Sequence, residues 1–567
     1  MRSTAKELDK LYDRQEDDSF RPPEMFWCNS CKVPVIKDVD TLKNDLCPSC
    51  NCRIKYLGAD IRPVFPEERL LIEILFGVPL EWKDKSVWAS DNRYYVDGKP
   101  IVIPLKKYGS VSVQHIKAAL AEYQPKNTYD LFNETIIRFV TANIRRLNWL
   151  ENEAFSFIQE TARSYSHEQV VVSFSGGKDS TVTADLTVRA LGDPRVVHIF
   201  GNTTLEFPST LEYVQRFRKN NPLTIFKTAV NKEQDFYEVC KDIGPPARML
   251  RWCCSMFKTG PITRVLNSLY PNKDILTFYG IRKCESVSRS RYNRVESSAD
   301  TVKIQKQKVA SPIFYWMDID IWLYLLGKNV DFNDAYRLGY DRVGCWCCPN
   351  NNTRAQFLSN IYMPKQSDIW RKFLIDFARR IGKPDAEEYV DSGSWKARQG
   401  GNGLEAAQDV KIRFANCTTE EHAKVYQLNK PMTDVFLELF LPFGRLAPEL
   451  GRKLVHETIV VDIQSNVPLL SVQPFGKGTG EYAVKIKTLN VADHTALQRM
   501  VGYQIKKFNA CRRCLKCESL CKFGAISILN GIYHINDVKC KRCKMCVADK
   551  YLEGGCLMQK YLKTKDK

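Results

Sequence analysis

Ser175-Gly176-Gly177-Lys178-Asp179-Ser180 follows an apolar run, Val170 to Phe174, and precedes a helix-like pattern. Glycines let a backbone come close to a ligand, the amides at a helix start point at anions, and the helix terminus adds positive potential. Lys178 contributes a point charge. Ser175, Gly176, Gly177, Lys178, Asp179 and Ser180 therefore form a candidate nucleotide-binding loop. Its spacing differs from the GxxxxGK[ST] loop of kinases and GTPases.

The second chemistry lies in the cysteines, 21 in 567 residues. The N-terminal segment is charged and shows no apolar core of a signal peptide, so a cytoplasmic chain is expected. There, metal binding is a better use of so many thiols than a disulfide framework. Cys28-x2-Cys31 and Cys47-x2-Cys50 bring four thiolates to one tetrahedral ion, and the pair of knuckles looks like a zinc ribbon. Cys52 is a spare. Near the C-terminus, Cys511, Cys514, Cys517 and Cys521 are followed by Cys540, Cys543, Cys546 and Cys556, a spacing similar to bacterial two-cluster ferredoxins. In that pattern the fourth cysteine of each run crosses over. Cys511, Cys514, Cys517 and Cys556 are then expected to hold one 4Fe-4S cluster, and Cys540, Cys543, Cys546 and Cys521 the other. Lys522 stands where that pattern usually has proline. Eight zinc-binding thiolates are the alternative.

These groups need elements to hold them. Residues 166–400 alternate strand-like runs (VVVSFS, VVHIFGN, LTIFKTA, ILTFYG) with helical stretches, which predicts a parallel sheet covered by helices on both faces. The expected class is multidomain α/β. The divisions are a zinc ribbon at 1–56, a small α+β unit similar to PUA domains at 57–125 with a hairpin turn at Asp97-Gly98, and a helical connector at 126–165. The nucleotide domain at 166–400 follows, then an α+β region without assigned role at 401–505 and the ferredoxin-like part at 506–567. No apolar stretch is long enough to span a bilayer, so no membrane partner is expected. The formal charge of +19 suits a polyanion, nucleotide or nucleic acid, although a lysine-rich soluble surface would give the same number.

Several motifs in order resemble the phosphoadenylyl-sulfate (PAPS) reductase family of PP-loop enzymes. After the loop come Phe200-Gly201-Asn202-Thr203 with Glu206-Phe207-Pro208-Ser209-Thr210, then Arg251-Trp252-Cys253-Cys254 with Lys258 and Pro261. Gly280-Ile281-Arg282 with Glu285, Ser286 and Arg289 follows, then Ser311-Pro312-Ile313, Trp316 and Asp320-Ile321-Trp322, and finally Gly344-Cys345-x2-Cys348-Pro349. The resemblance implies an adenine nucleotide α-hydrolase-like fold. It adds Asn202 and Thr203 to the nucleotide site and gives Lys258, Arg282, Glu285, Ser286 and Arg289 as substrate- or phosphate-binding residues. Lys178, Asp179 and Cys345 are the candidate catalytic set. Arg282, Arg289, Arg291 and Arg294 also read as a bidentate anion-binding cluster, or as a solvated basic loop. Cys253, Cys254, Cys345 and Cys348 resemble the cluster site of adenylyl-sulfate reductases and would carry a third 4Fe-4S cluster, with zinc or a redox thiol pair as alternatives. Cys284 and Cys347 are candidate sulfur carriers, although Cys284, like Cys240 and Cys417, also reads as a small buried residue.

Two departures from the family direct the functional expectation. Sulfonucleotide reductases commonly have a degenerate loop and a C-terminal Glu-Cys-Gly-Leu-His nucleophile. This chain keeps the intact loop and ends LMQKYLKTKDK. That favours ATP, cleaved between its α and β phosphates with Mg²⁺, over a sulfonucleotide. The expected activity couples an adenylyl nucleotide to reduction or sulfur transfer, with an electron-donor protein as partner. ATP-dependent thiolation of RNA or DNA is the alternative. So is a non-catalytic nucleotide-binding subunit of a sulfur-transfer or defence complex.

Overall fold

A computed structural model describes residues 22–564, apart from 39, 43, 59, 91–92, 272, 287–288, 297–306, 477–481, 530 and 549–551. The charged N-terminal segment, residues 1–21, lies outside the described residues. The fold is mixed α/β with a parallel sheet at its core, and the chain divides into two compact units. The first comprises residues 1–228, 274–302 and 307–369, and the second residues 229–273, 303–306 and 370–567.

The first unit is organised by a six-stranded sheet. Its order is Ile225–Val230, Val197–Asn202, Val170–Phe174, Ile275–Tyr279, Gln307–Ala310 and Val295–Glu296. Val170–Phe174 runs parallel to both Val197–Asn202 and Ile275–Tyr279, and Ile275–Tyr279 runs parallel to Gln307–Ala310. The central strands are apolar almost throughout and buried along their length, as strands covered on both faces must be. The short strand Val295–Glu296 closes one edge antiparallel.

The N-terminal cysteine region forms a three-stranded sheet, Val33–Lys37, Glu24–Cys28 and Lys55–Tyr56. A four-stranded antiparallel sheet follows, and the Asp97-Gly98 turn within it has φ of 49° and 79°. Two successive positive φ values suit the twist of a tight hairpin. The segment 131–165, which reads as one helix, is two: Asp130–Ala142 and Ile144–Ala162. Asn143 divides them. Its amide donates to the carbonyls of Phe139 and Pro34 and accepts from the amide of Ile36, at 2.8–3.0 Å. The break joins the helices to the cysteine region. Trp27, Cys28 and Val35 share one apolar core with Phe139, Leu147, Val170 and Trp322.

The second unit contains a six-stranded antiparallel sheet running from Phe414–Asn416 at one edge to Arg445–Ala447 at the other. The runs IVVDI and YAVKIKTL supply its strands Thr458–Val461 and Tyr482–Thr488. The helix His494–Ala510 continues past residue 505 into the cysteine-rich segment, and Val484, Val501, Ile505, Leu515, Leu520 and Ile526 lie in one core. Among the described residues no helix is long and apolar enough to cross a membrane.

Candidate functional site

In the first unit four parallel strands deliver their carboxyl ends to the same side of the sheet. The strand Val170–Phe174 lies between the second strand in chain order and the fourth, so sequence order reverses beside it. Ligands of open α/β sheets bind at such a switch point. Here the chain turns through Ser175-Gly176-Gly177 into the helix Lys178–Leu191. Gly176 has φ of 73°, and a Cβ on it would lie 2.8 Å from Thr210 Cγ2. The turn is tied internally: the Ser175 amide and hydroxyl both donate to Ser180 Oγ, at 3.1 and 3.0 Å, and Ser180 Oγ donates to the Gly177 carbonyl. Asn333 Nδ2 braces it by donating to the Gly176 carbonyl and to Thr210 Oγ1. The Lys178 amide donates to the Tyr336 hydroxyl at 3.0 Å, an oxygen contact of the kind a phosphate would provide.

Gly280, just beyond the strand Ile275–Tyr279, passes directly against the helix start. A Cβ there would lie 2.6 Å from the carbonyl carbon of Asp179 and 2.8 Å from the amide nitrogen of Ser180. This close approach brings Arg282 into the loop. Arg282 Nε donates to Asp179 Oδ1 at 2.6 Å, and its Nη2 to Asp318 Oδ1 at 2.8 Å. Lys178 Nζ is 3.1 Å from Asp318 Oδ1 and 3.6 Å from Asp179 Oδ2. Burial raises the Asp179 carboxyl, but the Arg282 and Lys178 charges outweigh it and hold the group at about 2. The site is thus two buried cations interleaved with two carboxylates, fully ionised at neutral pH.

Sequence reading overlooked Asp318, Asp60 and Tyr336. Asp318 sits in the first turn of the helix Asp318–Gly327, a position where acidic residues mark helix starts, and that was its one local signal. Asp60 has none. Its carboxylate accepts from the amides of Asp318 and Ile319, at 2.8 and 3.2 Å, and so caps that helix. Burial, with the Asp318 carboxylate beside it, pushes the Asp60 carboxyl up to about 7. A carboxyl raised in the folded state contributes stability that is fully present below its unfolded pKa, roughly 4, and is lost as pH rises through the folded value. Asp60→Asn keeps one acceptor for the amides and removes the titration. The urea-unfolding free energy of the wild type, relative to this variant, should therefore fall between about pH 4 and about pH 7. A constant difference across that window would show that Asp60 does not titrate there.

The remaining candidates divide by unit. In the first, Thr203 Oγ1 donates to Glu206 at 2.8 Å and lies 3.3 Å from Cys345 Sγ, and Glu206 and Cys345 form a β-bridge. Asn202 accepts from the Thr204 amide at the end of its strand. Cys345 and the turn to Cys348 therefore stand beside the strand adjacent to the loop, with Cys347 buried inside the turn. Glu285 pairs with Arg289 and Arg342, and Ser286 Oγ accepts from the Arg289 amide. Arg294 does not belong to an anion site. It is bound to Glu153 and the Pro312 carbonyl and stacks 3.8 Å from the Phe157 ring centroid. Asp320 likewise pairs with buried Arg146. Cys284 is exposed as a residue, yet the partial enclosure of its thiol and the Asp60 charge beside it push its pKa up, which does not suit a ready nucleophile.

The N-terminal thiols also lie in the first unit. The sulfurs of Cys28, Cys31, Cys47 and Cys50 are all within 4.8 Å of one another, a group able to hold a metal ion, and Cys52 is outside it. Each knuckle closes on a residue in the left-handed region, Lys32 at 58° and Asn51 at 58°. Their amides return to the Cys28 and Cys47 carbonyls, at 2.9 and 2.8 Å.

In the second unit, Arg251 Nη2 donates to Cys254 Sγ at 3.4 Å. The neighbouring Cys253 thiol, and then Arg251 and Lys258, hold the Cys254 thiol well below its ordinary range, against the effect of burial. Lys258 lies in the π-turn that follows the cysteine pair. The two C-terminal cysteine runs share a backbone design: Arg513 and Leu515 flank Cys514 with positive φ, and Arg542 and Lys544 flank Cys543 in the same way. Alternating right- and left-handed residues turn successive amides inward, a concavity suited to anions and iron–sulfur groups. Cys521, Cys540, Cys543 and Cys546 line one cavity. Burial, with the charges of Cys556, Cys517 and Cys511, pushes the Cys514 thiol up. Lys507, 1% exposed, donates to Gln504 and the Cys546 carbonyl and supplies a positive charge close to the thiols.

The chain belongs to the phosphoadenosine phosphosulfate reductase domain family, whose domain matches residues 169–351. It is 34% identical to an uncharacterized protein of Methanocaldococcus jannaschii over 366 residues, 64% of this chain and 72% of that one. It is 24% identical to the adenosine 5′-phosphosulfate reductase of Staphylococcus epidermidis over 244 residues, 41% of this chain and 92% of that one. Among solved structures, the PAPS reductase of Candida auris aligns at 17% identity and a TM-score of 0.26, covering 34% of this chain and 95% of that one.

Proposed function

We propose that this protein is an iron–sulfur, nucleotide-dependent enzyme of sulfur metabolism. Family membership supports nucleotide binding and sulfur chemistry at the level of the class. The observation that carries the finer reading is the intact loop. Lys178, Asp179, Arg282 and Asp318 converge on Ser175–Ser180 at the switch point of a parallel sheet. In this reading the loop amides and Lys178 hold the pyrophosphate of ATP or a related adenylyl nucleotide. Asp179 and Asp318 are the carboxylates available to Mg²⁺, which would neutralise phosphate charge. Arg282 keeps both carboxylates oriented and ionised.

The cysteine sets supply the redox half. Cys28, Cys31, Cys47 and Cys50 suit zinc, and the two crossed C-terminal sets suit 4Fe-4S clusters, which pass one electron at a time. The assignment of a third cluster to Cys253, Cys254, Cys345 and Cys348 rests on sequence motifs. The reading is tested by turnover. Anaerobic protein given ATP, Mg²⁺, a one-electron donor and inorganic sulfide should release AMP and pyrophosphate. Release of ADP and phosphate, or of nothing, would overturn cleavage between the α and β phosphates.

A further inference from the structure

The segment bearing Cys253 and Cys254 is fastened to the segment bearing the first C-terminal cysteine set, and both lie in the second unit. The helix Gly260–Leu269 continues from the cysteine pair through a π-turn. Its first residue, Gly260, meets Leu515, the residue between Cys514 and Lys516. A Cβ on Gly260 would lie 2.5 Å from Leu515 Cβ and 2.8 Å from the Ser255 carbonyl oxygen, so only glycine permits this approach. One residue row further, Thr263 Oγ1 donates to Ser519 Oγ at 3.2 Å, and both side chains are buried. Arg264 then forms a two-point ion pair with buried Glu518, at 2.9 and 3.1 Å, and donates to the Ile528 carbonyl at 2.7 Å. Glu518 in turn accepts from the Ile528 amide. A glycine contact, a hydroxyl pair and a bidentate ion pair thus lie along the one helix, each ending within two residues of a cysteine of the C-terminal run.

These contacts fix the segment that carries Cys253 and Cys254 against the segment that carries Cys514 and Cys517.

We propose that Gly260 and Arg264 are positioning residues for electron transfer between the cluster on Cys511, Cys514, Cys517 and Cys556 and an iron–sulfur group on Cys253 and Cys254. This rests on the cluster assignments of the preceding section. In the step, the first cluster is oxidised by one electron and the group on Cys253 and Cys254 is reduced by one. No bond forms or breaks. A low-potential one-electron donor, dithionite in the test, restores the first cluster.

The experiment uses anaerobic full-length protein, its iron content, electron paramagnetic resonance of the reduced state and the rate at which the third cluster is reduced. The variants are Gly260→Ala and the paired Arg264→Met/Glu518→Gln, which removes both charges so that neither is left buried alone. The wild type should carry about twelve iron atoms, and its signals should show spin coupling between clusters. Both variants should keep their iron while the coupling weakens and reduction of the group on Cys253 and Cys254 slows severalfold, because electron tunnelling falls steeply with distance. Unchanged coupling and rate in an iron-replete variant would overturn the proposal. If Gly260→Ala loses iron through misfolding, the paired variant decides. About eight iron atoms in the wild type would instead overturn the third-cluster reading, and this proposal with it.

Discussion

Lys178→Ala should weaken ATP binding by roughly a hundredfold, a loss of about 3 kcal/mol. Two effects act in the same direction. The variant loses a buried cation whose amide already lies at the helix start and whose ammonium is 3.1 Å from Asp318. It also leaves Asp179 and Asp318 with Arg282 as their shared cation, so more negative charge faces the incoming phosphates. Titration calorimetry with ATP and Mg²⁺ reads the loss. Wild-type affinity in Lys178→Ala would mean that the Ser175–Ser180 turn is a structural corner and that the nucleotide binds elsewhere.

Cys543→Ser should remove about one third of the iron, one cluster of three, and leave ATP binding unchanged. Cys521→Ser should remove the same cluster, although it belongs to the other cysteine run, because Cys521 lines the cavity with Cys540, Cys543 and Cys546. Cys511→Ser and Cys556→Ser should remove the other one. Iron and sulfide assays, with the spectrum of the surviving reduced cluster, separate the two pairs. If Cys521→Ser and Cys517→Ser gave the same spectrum, the sets would follow the order of the chain and not the crossover. Full iron content in Cys543→Ser would show that the cavity holds no cluster.

What could be read from the sequence was local. The apolar runs around Val170 and Ile275 are strands because a sheet buried on both faces demands unbroken apolar residues, and the glycine loop sits where a strand gives way to a helix. Cysteine spacing also survives in one dimension, since each knuckle closes within a few residues. The rest arises from convergence. Asp60 and Asp318 meet across 258 residues, Lys178 and Tyr336 across 158, and no local pattern encodes either meeting. The arginines after Gly280 show the opposite error. They form one cluster in sequence, yet Arg282 pairs with Asp179 and Arg294 with Glu153. A continuous helical pattern at 131–165 likewise concealed the break at Asn143, whose partners Pro34 and Ile36 lie over a hundred residues upstream.

Those long reaches impose an order on synthesis. The strand Val33–Lys37 leaves the ribosome early, but its amide partner Asn143 follows 107 residues after Ile36, and the helix that Asp60 caps begins 258 residues after that aspartate. At ordinary translation speeds the second interval is roughly 13 to 50 seconds. Throughout it, apolar faces around Trp27, Val35 and Phe65, destined for one core, have no finished partner. The four N-terminal thiols are the exception, since everything they need is contained in residues 28–50. Metal capture can therefore come first, giving the nascent chain a closed, ordered head while the sheet that will cover it is still being made.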